Sequence, residues 1–135
     1  MRVFLDTNVL VSAFASRGLC ADLFELVLTE HDLVLGRNVL RELSEALRKK
    51  LKLPAAHAEE IVDFVSVEAE QVAQEADPVP ARVDPDDAVV LGEALAGKAE
   101  VFVTGDAALL RLAVIGTLKI VSPRRFWEIL QSGNT

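Results

Sequence analysis

The chain has 135 residues, about one domain's worth, and 51% of them are hydrophobic against 26% charged, enough apolar mass for one substantial core. A net charge of −7 argues against broad, charge-driven adhesion to nucleic acid or anionic membrane, but not against a nucleic-acid enzyme whose acidic site is neutralised by metal. No run approaches the ~20 apolar residues of a membrane span, no signal-peptide pattern is present, and the single cysteine, Cys20, excludes an internal disulfide. The expectation is a cytoplasmic protein of one domain over residues 1–135, without a membrane role.

Val3-Phe4-Leu5 reads as a buried strand over residues 2–5. The chain turns polar at Asp6-Thr7-Asn8, and the apolar pattern of Val9, Leu10, Ala13 and Phe14 predicts a short helix over 7–15. Ser16-Arg17-Gly18 breaks it, and a second helix covers 19–29. Cys20 falls in that helix, where a small apolar side chain is a simpler reading than a reactive thiol. Leu33-Val34-Leu35 is a second strand. Gly36 and Arg37 turn the chain, and Asn38 is the expected N-cap of a helix to about Leu51. Pro54 opens another helix over 55–68. A weak strand falls within 69–75, and Asp77-Pro78-Val79-Pro80 forms an irregular connection.

Asp84-Pro85 begins the next helix, with Asp at the N-cap and Pro at the first helical position; it runs to about Ala96 and stops at Gly97. Val101-Phe102-Val103 is a strand ending in Thr104-Gly105-Asp106. A short helix spans 107–113, Lys119-Ile120-Val121 is the last strand, and Pro123 opens a C-terminal helix. Strands alternate with helices throughout, which predicts an α/β fold with a mainly parallel sheet and helices on both faces.

Four acids stand apart from the rest. Asp6 follows a buried strand, and in open α/β sheets the ligand crevice lies outside the carboxyl ends of the strands. Asp106 repeats that placement after Val101-Phe102-Val103. Capping of the following helix is the competing reading for both. Glu42 lies at the border of the apolar face formed by Val39, Leu40, Leu43, Ala46 and Leu47, where it either reaches the crevice or pairs with Arg41 or Lys49. Glu45, nearly opposite that face, reads as a solvated charge. Asp87 shares a face with Val90, Leu91 and Ala94, a costly place for an ionised carboxylate without a partner or a cation. Asp84 is assigned to the cap, and Asp86 and Glu93 to water, so Asp87 is left for function.

Four carboxylates in one crevice repel, and a hard divalent cation relieves that repulsion; oxygen-only ligands suit Mg²⁺ or Mn²⁺. Zinc is disfavoured, because His31 and His57 lack partners at ligand spacing and both read as surface residues. No Ser-His or Cys-His pair offers a covalent route and no Gly-rich phosphate loop is present, so metal-assisted phosphodiester hydrolysis is the natural reaction.

Asp6-Thr7-Asn8 after an apolar strand, Glu42 early in the third helix, Asp87 within Asp84-Pro85-Asp86-Asp87, and Thr104-Gly105-Asp106 together resemble a PIN domain, over essentially the whole chain. They are similar in particular to the VapC ribonucleases of toxin–antitoxin pairs. The resemblance implies a three-layer α/β/α sandwich with a central, mainly parallel sheet, and a Mg²⁺- or Mn²⁺-dependent endoribonuclease. It makes Asp6, Glu42, Asp87 and Asp106 the catalytic and metal-holding acids, with Asn8 and Thr104 in support. It also implies a homodimer and an antitoxin partner whose C-terminal segment occupies the active-site groove. Two positions depart from the pattern: Ala88 stands where an Asn often follows the third acid, and Ala108 where a further Asp is common.

For RNA phosphates, Arg17, Arg37 and Arg41 lie in loops or first turns near the expected crevice. The run Arg48-Lys49-Lys50-Leu51-Lys52 sits at a helix C-terminus, where cations are favourable anyway, and reads as a solvated face. Phe126 and Trp127 read as core or dimer contacts. Three other functions compete. One is a PIN module that binds RNA or protein without cutting. A haloacid-dehalogenase-like phosphatase needs a second Asp two residues after the first, where this chain has Asn8. A receiver-like phosphoacceptor domain needs a lysine at the far strand end, whereas Lys119 begins its strand.

Overall fold

A computed structural model describes residues 1–72, 77–79 and 82–133. Six strands form one sheet in the order β3-β2-β1-β4-β6-β5: β1 (Arg2–Leu5), β2 (Asp32–Leu35), β3 (Glu70–Gln71), β4 (Val101–Val103), β5 (Val114–Ile115) and β6 (Leu118–Val121). All pairings are parallel except the β5–β6 hairpin. The flanking helices are α1 (Thr7–Ala15), α2 (Leu19–Glu30), α3 (Arg37–Lys49), α4 (Ala55–Glu68), α5 (Pro85–Ala96), α6 (Ala107–Leu110) and α7 (Pro123–Gln131). This is the expected α/β/α sandwich.

β1 and β4 lie side by side at the centre, paired Val3 to Val101, Phe4 to Phe102 and Leu5 to Val103. Val3, Phe4, Leu5, Val101, Phe102 and Val103 are all buried, and a strand buried on consecutive residues must be covered on both faces. The Phe4 and Phe102 rings stack with centroids 5.2 Å apart. From β1 the chain passes to β2 on one side; from β4 it passes to β6 on the other. The strand order therefore reverses between β1 and β4, and a crevice opens beyond their carboxyl ends. Both sheet edges are two-residue strands, too short to recruit another sheet.

Several boundaries differ from the sequence expectation. The N-cap of α3 is Gly36, not Asn38, and the helix ends at Lys49. The helix expected over 107–113 is the four-residue α6, because the chain then turns into β5, with Gly116 at φ +60 between β5 and β6. A two-residue strand has too little alternation to announce itself. β3 falls within the weak strand expected over 69–75, of which residues 73–75 lie outside the described residues, as does Pro80 of the irregular connection. Phe126 is fully buried and Trp127 packs beside the core. His57 is exposed as expected, but His31 is half-buried, its Nδ1 3.4 Å from the chain's N-terminal nitrogen. Among the described residues no helix is long and apolar enough to cross a membrane.

The largest correction concerns α5. Glu93 was expected in water and is only 4% exposed. Its periodicity is that of a one-sided helix, but α5 is covered on more than one side. The 77–79 segment lies along it, with Val79 N donating to Ala88 O at 3.1 Å, and a Cβ at Gly92 would run into the Asp77 carbonyl. The Glu93 carboxylate is turned toward α3, where Oε2 accepts from Asn38 N at 3.2 Å and Asn38 Nδ2 at 3.0 Å. It supplies to α3 the cap that Gly36 cannot, and a Cβ at Gly36 would collide with it.

Candidate active site

Asp6 ends β1 and is 7% exposed. Its backbone N–H donates to Val103 O at 2.9 Å, which extends the β1–β4 ladder by one residue and fixes the side chain at the crevice. The carboxylate accepts from Thr7 N at 2.8 Å, Thr104 Oγ1 at 2.8 Å and Asn8 Nδ2 at 3.3 Å. Thr104 is fully buried, and its hydroxyl also accepts from Asp106 N at 3.0 Å. Asn8 Oδ1 accepts from Gly105 N at 3.1 Å. Thr104 and Asn8 thus tie the ends of β1 and β4 together around one carboxylate, and an alternative donor for that carboxylate would have to displace packed side chains.

The other three acids arrive from three different elements. Glu42, in α3, is half-buried, and its Oε1 accepts from Thr7 Oγ1 at 2.8 Å, in place of the pairing with Arg41 or Lys49 considered above. Asp87 lies in the first turn of α5 and is half-buried. Asp84, expected to cap that helix through its side chain, makes no such bond and is exposed; its backbone oxygen accepts from Ala88 N instead. Asp106 does cap, its Oδ1 accepting from Ala108 N at 2.8 Å and Leu109 N at 3.3 Å. Capping and position at the crevice are therefore compatible in one residue.

All four acids line a single cleft of about 520 Å³, together with Thr7, Asn8, Val11 and Ser12 from α1 and Glu45, Ala46, Lys49 and Lys50 from the end of α3. Electrostatics register their proximity. Asp87 is pushed up to about 6, first by desolvation and then by Asp6, Asp106, Asp84 and Glu42. Burial raises Asp6 above the usual carboxylate range, with Asp106 adding to it and the Thr104, Thr7 and Asn8 hydrogen bonds opposing. Glu42 is raised by burial, with Asp6 and Asp86 adding to it and the Thr7 hydrogen bond and Arg41 opposing. With Asp6, Glu42 and Asp87 all held above their ordinary pKa, the cleft is short of positive charge.

The donor chemistry fits a hard divalent cation, since the convergent groups are carboxylates and hydroxyls. Among the described residues, however, no three acidic, histidine or cysteine side chains are gathered closely enough to enclose an ion. The cleft is an open carboxylate funnel, with Glu42 and Asp87 half-buried along it.

The three arginines nominated for substrate do not line the cleft: Arg17, Arg37 and Arg41 are all exposed outside it. Lys49 and Lys50, read from the sequence as part of a solvated face, do line it. Seven and eight residues after Glu42, they fall on its side of the helix, and that spacing was the available signal. Glu45 is solvent-exposed as expected and also borders the cleft. Cys20 is half-buried, and burial pushes its thiol up, the opposite of an activated nucleophile.

The family model for the PIN domain matches residues 2–108 of the chain, a span that includes all four acids. The chain belongs to the PIN-domain family. That membership sets aside the phosphatase and receiver readings. Among solved structures, this PIN domain is similar to a chain in the crystal structure of VapBC2 from Rickettsia felis bound to a DNA fragment from their promoter. The TM-score is 0.65 at 17% identity, covering 90% of this chain and 98% of the other, and at that identity the likeness is one of fold. No curated protein matches.

The Glu93 brace joins the helix that carries Asp87 to the helix that carries Glu42, so its removal has a defined consequence. Glu93→Ala leaves Asn38 N and the start of α3 without an acceptor and opens a void. The expected loss of stability is about 2–4 kcal/mol, measured by urea denaturation.

Proposed function

We propose that this PIN domain is a Mg²⁺- or Mn²⁺-dependent endoribonuclease and the toxin of a toxin–antitoxin pair. The observation that carries the reading is the convergence of Asp6, Glu42, Asp87 and Asp106, from four separate segments, on one cleft where the strand order reverses. These four would hold the ion, with Asn8 and Thr104 in support. When bound, a divalent cation lowers the pKa of water and offsets charge on the phosphoryl group. The chain's own contribution is positional. Thr104, Asn8 and the Thr7 amide hold Asp6 rigidly at the end of β1. The Thr7 hydroxyl orients Glu42. Without the ion Asp87 titrates at about 6, so it is the ionised form, dominant at neutral pH, that is available to hold the cation.

In the same proposal the partner is an antitoxin, supported by the likeness to a chain of a toxin–antitoxin complex, and the protein works in the cytoplasm as a homodimer. The test is incubation of purified protein with single-stranded RNA. Cleavage with Mg²⁺ or Mn²⁺ that stops in EDTA and returns on re-addition supports the reading, whereas cleavage undiminished in EDTA removes the metal mechanism.

A second reading is a PIN module that binds RNA or protein without cutting it. The absence, among the described residues, of three acids close enough to enclose an ion favours it, as do Ala88 and Ala108. Stable capture of RNA with no cleavage across metals would decide for it.

A further inference from the structure

Most of the cleft is lined by two helices, with Asp6, Asp87 and Asp106 completing it. One wall is the face of α1 bearing Thr7, Asn8, Val11 and Ser12; the other is the face of α3 bearing Glu42, Glu45, Ala46, Lys49 and Lys50. Both sets follow the i, i+3, i+4 spacing of a single helix face. Asp6, Glu42, Asp87 and Asp106 lie toward the N-terminal part of α3, with Glu45 between them and the lysines. Lys49 and Lys50 stand seven and eight residues beyond Glu42 along α3, about 10–12 Å at 1.5 Å per residue.

Both lysines are exposed, and neither forms an ion pair among the described residues. Glu45, one turn before Lys49 and well placed to neutralise it, does not do so. Favourable interaction with the helix C-terminus explains a cation in the last turn, and it applies equally to Arg48. It does not explain why two adjacent cations border the groove that leads to the acids while Arg48 and Lys52 do not.

We infer that Lys49 and Lys50 form a phosphate-binding subsite for a single-stranded RNA backbone, holding a phosphate beyond the scissile one while the acidic end of the groove receives the bond to be cut. The two helix faces place the lysines and the acids along one cleft, so the backbone of one strand can meet both. In a chain of net charge −7, a strand entering an acidic cleft needs a local cationic anchor, and these two lysines are the cations that line this one. The subsite is sequence-independent, because a lysine reads a phosphate as a point charge. This assignment rests on the nuclease reading.

The test measures the affinity of a fluorescent single-stranded RNA homopolymer as a function of salt, in an Asp6→Asn background so that binding is separated from cleavage. The double substitution Lys49→Gln/Lys50→Gln is compared with a charge-matched double, Arg48→Gln/Lys52→Gln, on the same stretch but outside the groove. The first is expected to weaken binding roughly tenfold at physiological salt, equally for different homopolymers, and to flatten the log–log salt slope by roughly 1.4. The second is expected to change affinity less than about threefold and to leave the slope in place. In the cleaving protein, the groove double raises KM with kcat retained.

Equal losses in the two doubles would reduce the lysines to general charge and overturn the subsite. Unchanged RNA binding by the groove double, with lost binding of an acidic peptide, would overturn it in favour of a protein partner. If the starting protein neither binds nor cuts RNA, the nuclease reading falls and the subsite falls with it; if it binds and cuts but the groove double behaves like it, only the subsite is lost.

Discussion

Asp6→Asn should lower RNA cleavage by about 10³-fold or more while leaving the fold intact. The substitution exchanges one oxygen for NH₂ and keeps the volume. The carbonyl oxygen of Asn can still accept from Thr7 N and the Thr104 hydroxyl can rotate to accept from the new NH₂, so the bond given up is the longer one from Asn8 Nδ2, which donates to Asp6 Oδ2. Because burial disfavours the Asp6 carboxylate, neutralising it should leave stability at pH 7 unchanged or slightly raised. Activity and stability are therefore expected to move independently, which separates a functional acid from a structural one. Cleavage rates under metal-saturated conditions, with urea unfolding of the same samples, measure both. Cleavage near the starting level in folded Asp6→Asn protein would remove this residue from the chemistry. Loss of folding would show that Asp6 is held for structure.

Metal-free protein should be less stable at pH 7 than at pH 5. Asp87, Asp6 and Glu42 all have folded pKa values above their ordinary ones, with Asp87 at about 6. As pH rises from about 4 to about 6, the unfolded chain loses these protons first, so the folded state binds more protons and stability falls with pH. Above about 6 the Asp87 contribution levels off. Because Asp87 is part-exposed, its share is discounted to on the order of 1–2 kcal/mol. Asp87→Asn should remove much of the slope and raise the melting temperature at pH 7. Mn²⁺ should do the same for the unmodified protein, with a larger effect at pH 7 than at pH 5, because a cation binds the ionised cleft more tightly. Thermal denaturation across this pH range with EDTA or Mn²⁺ measures it. A melting temperature that rises from pH 5 to pH 7 in EDTA would show that the carboxylates are not crowded together.

The two experiments probe different links. The Asp6 substitution asks whether the carboxylate acts in chemistry. The pH profile asks whether the four acids share one electrostatic environment at all, and it needs no substrate. Agreement between them would tie the convergence seen in the fold to the activity proposed for it.

The sequence by itself determined the layered architecture and the positions of the four acids. Short apolar runs ending in Asp6 and before Thr104-Gly105-Asp106 have few ways to fold except as strands buried on both faces, whose ends point at a crevice. Periodicity identified the buried face of α3 correctly through Val39, Leu40, Leu43, Ala46 and Leu47, because that helix is covered on one side only. The same rule failed at α5, where the 77–79 segment and the start of α3 cover a face that would otherwise meet water, so Glu93 became a buried brace. It also placed Lys49 and Lys50 among solvated charges, since a groove between α1 and α3 belongs to neither helix alone. Periodicity reports how one helix is divided between apolar and polar neighbours. Which second element packs against it, and what lies between the two, depends on contacts between residues far apart in the chain, and these only the tertiary structure decided.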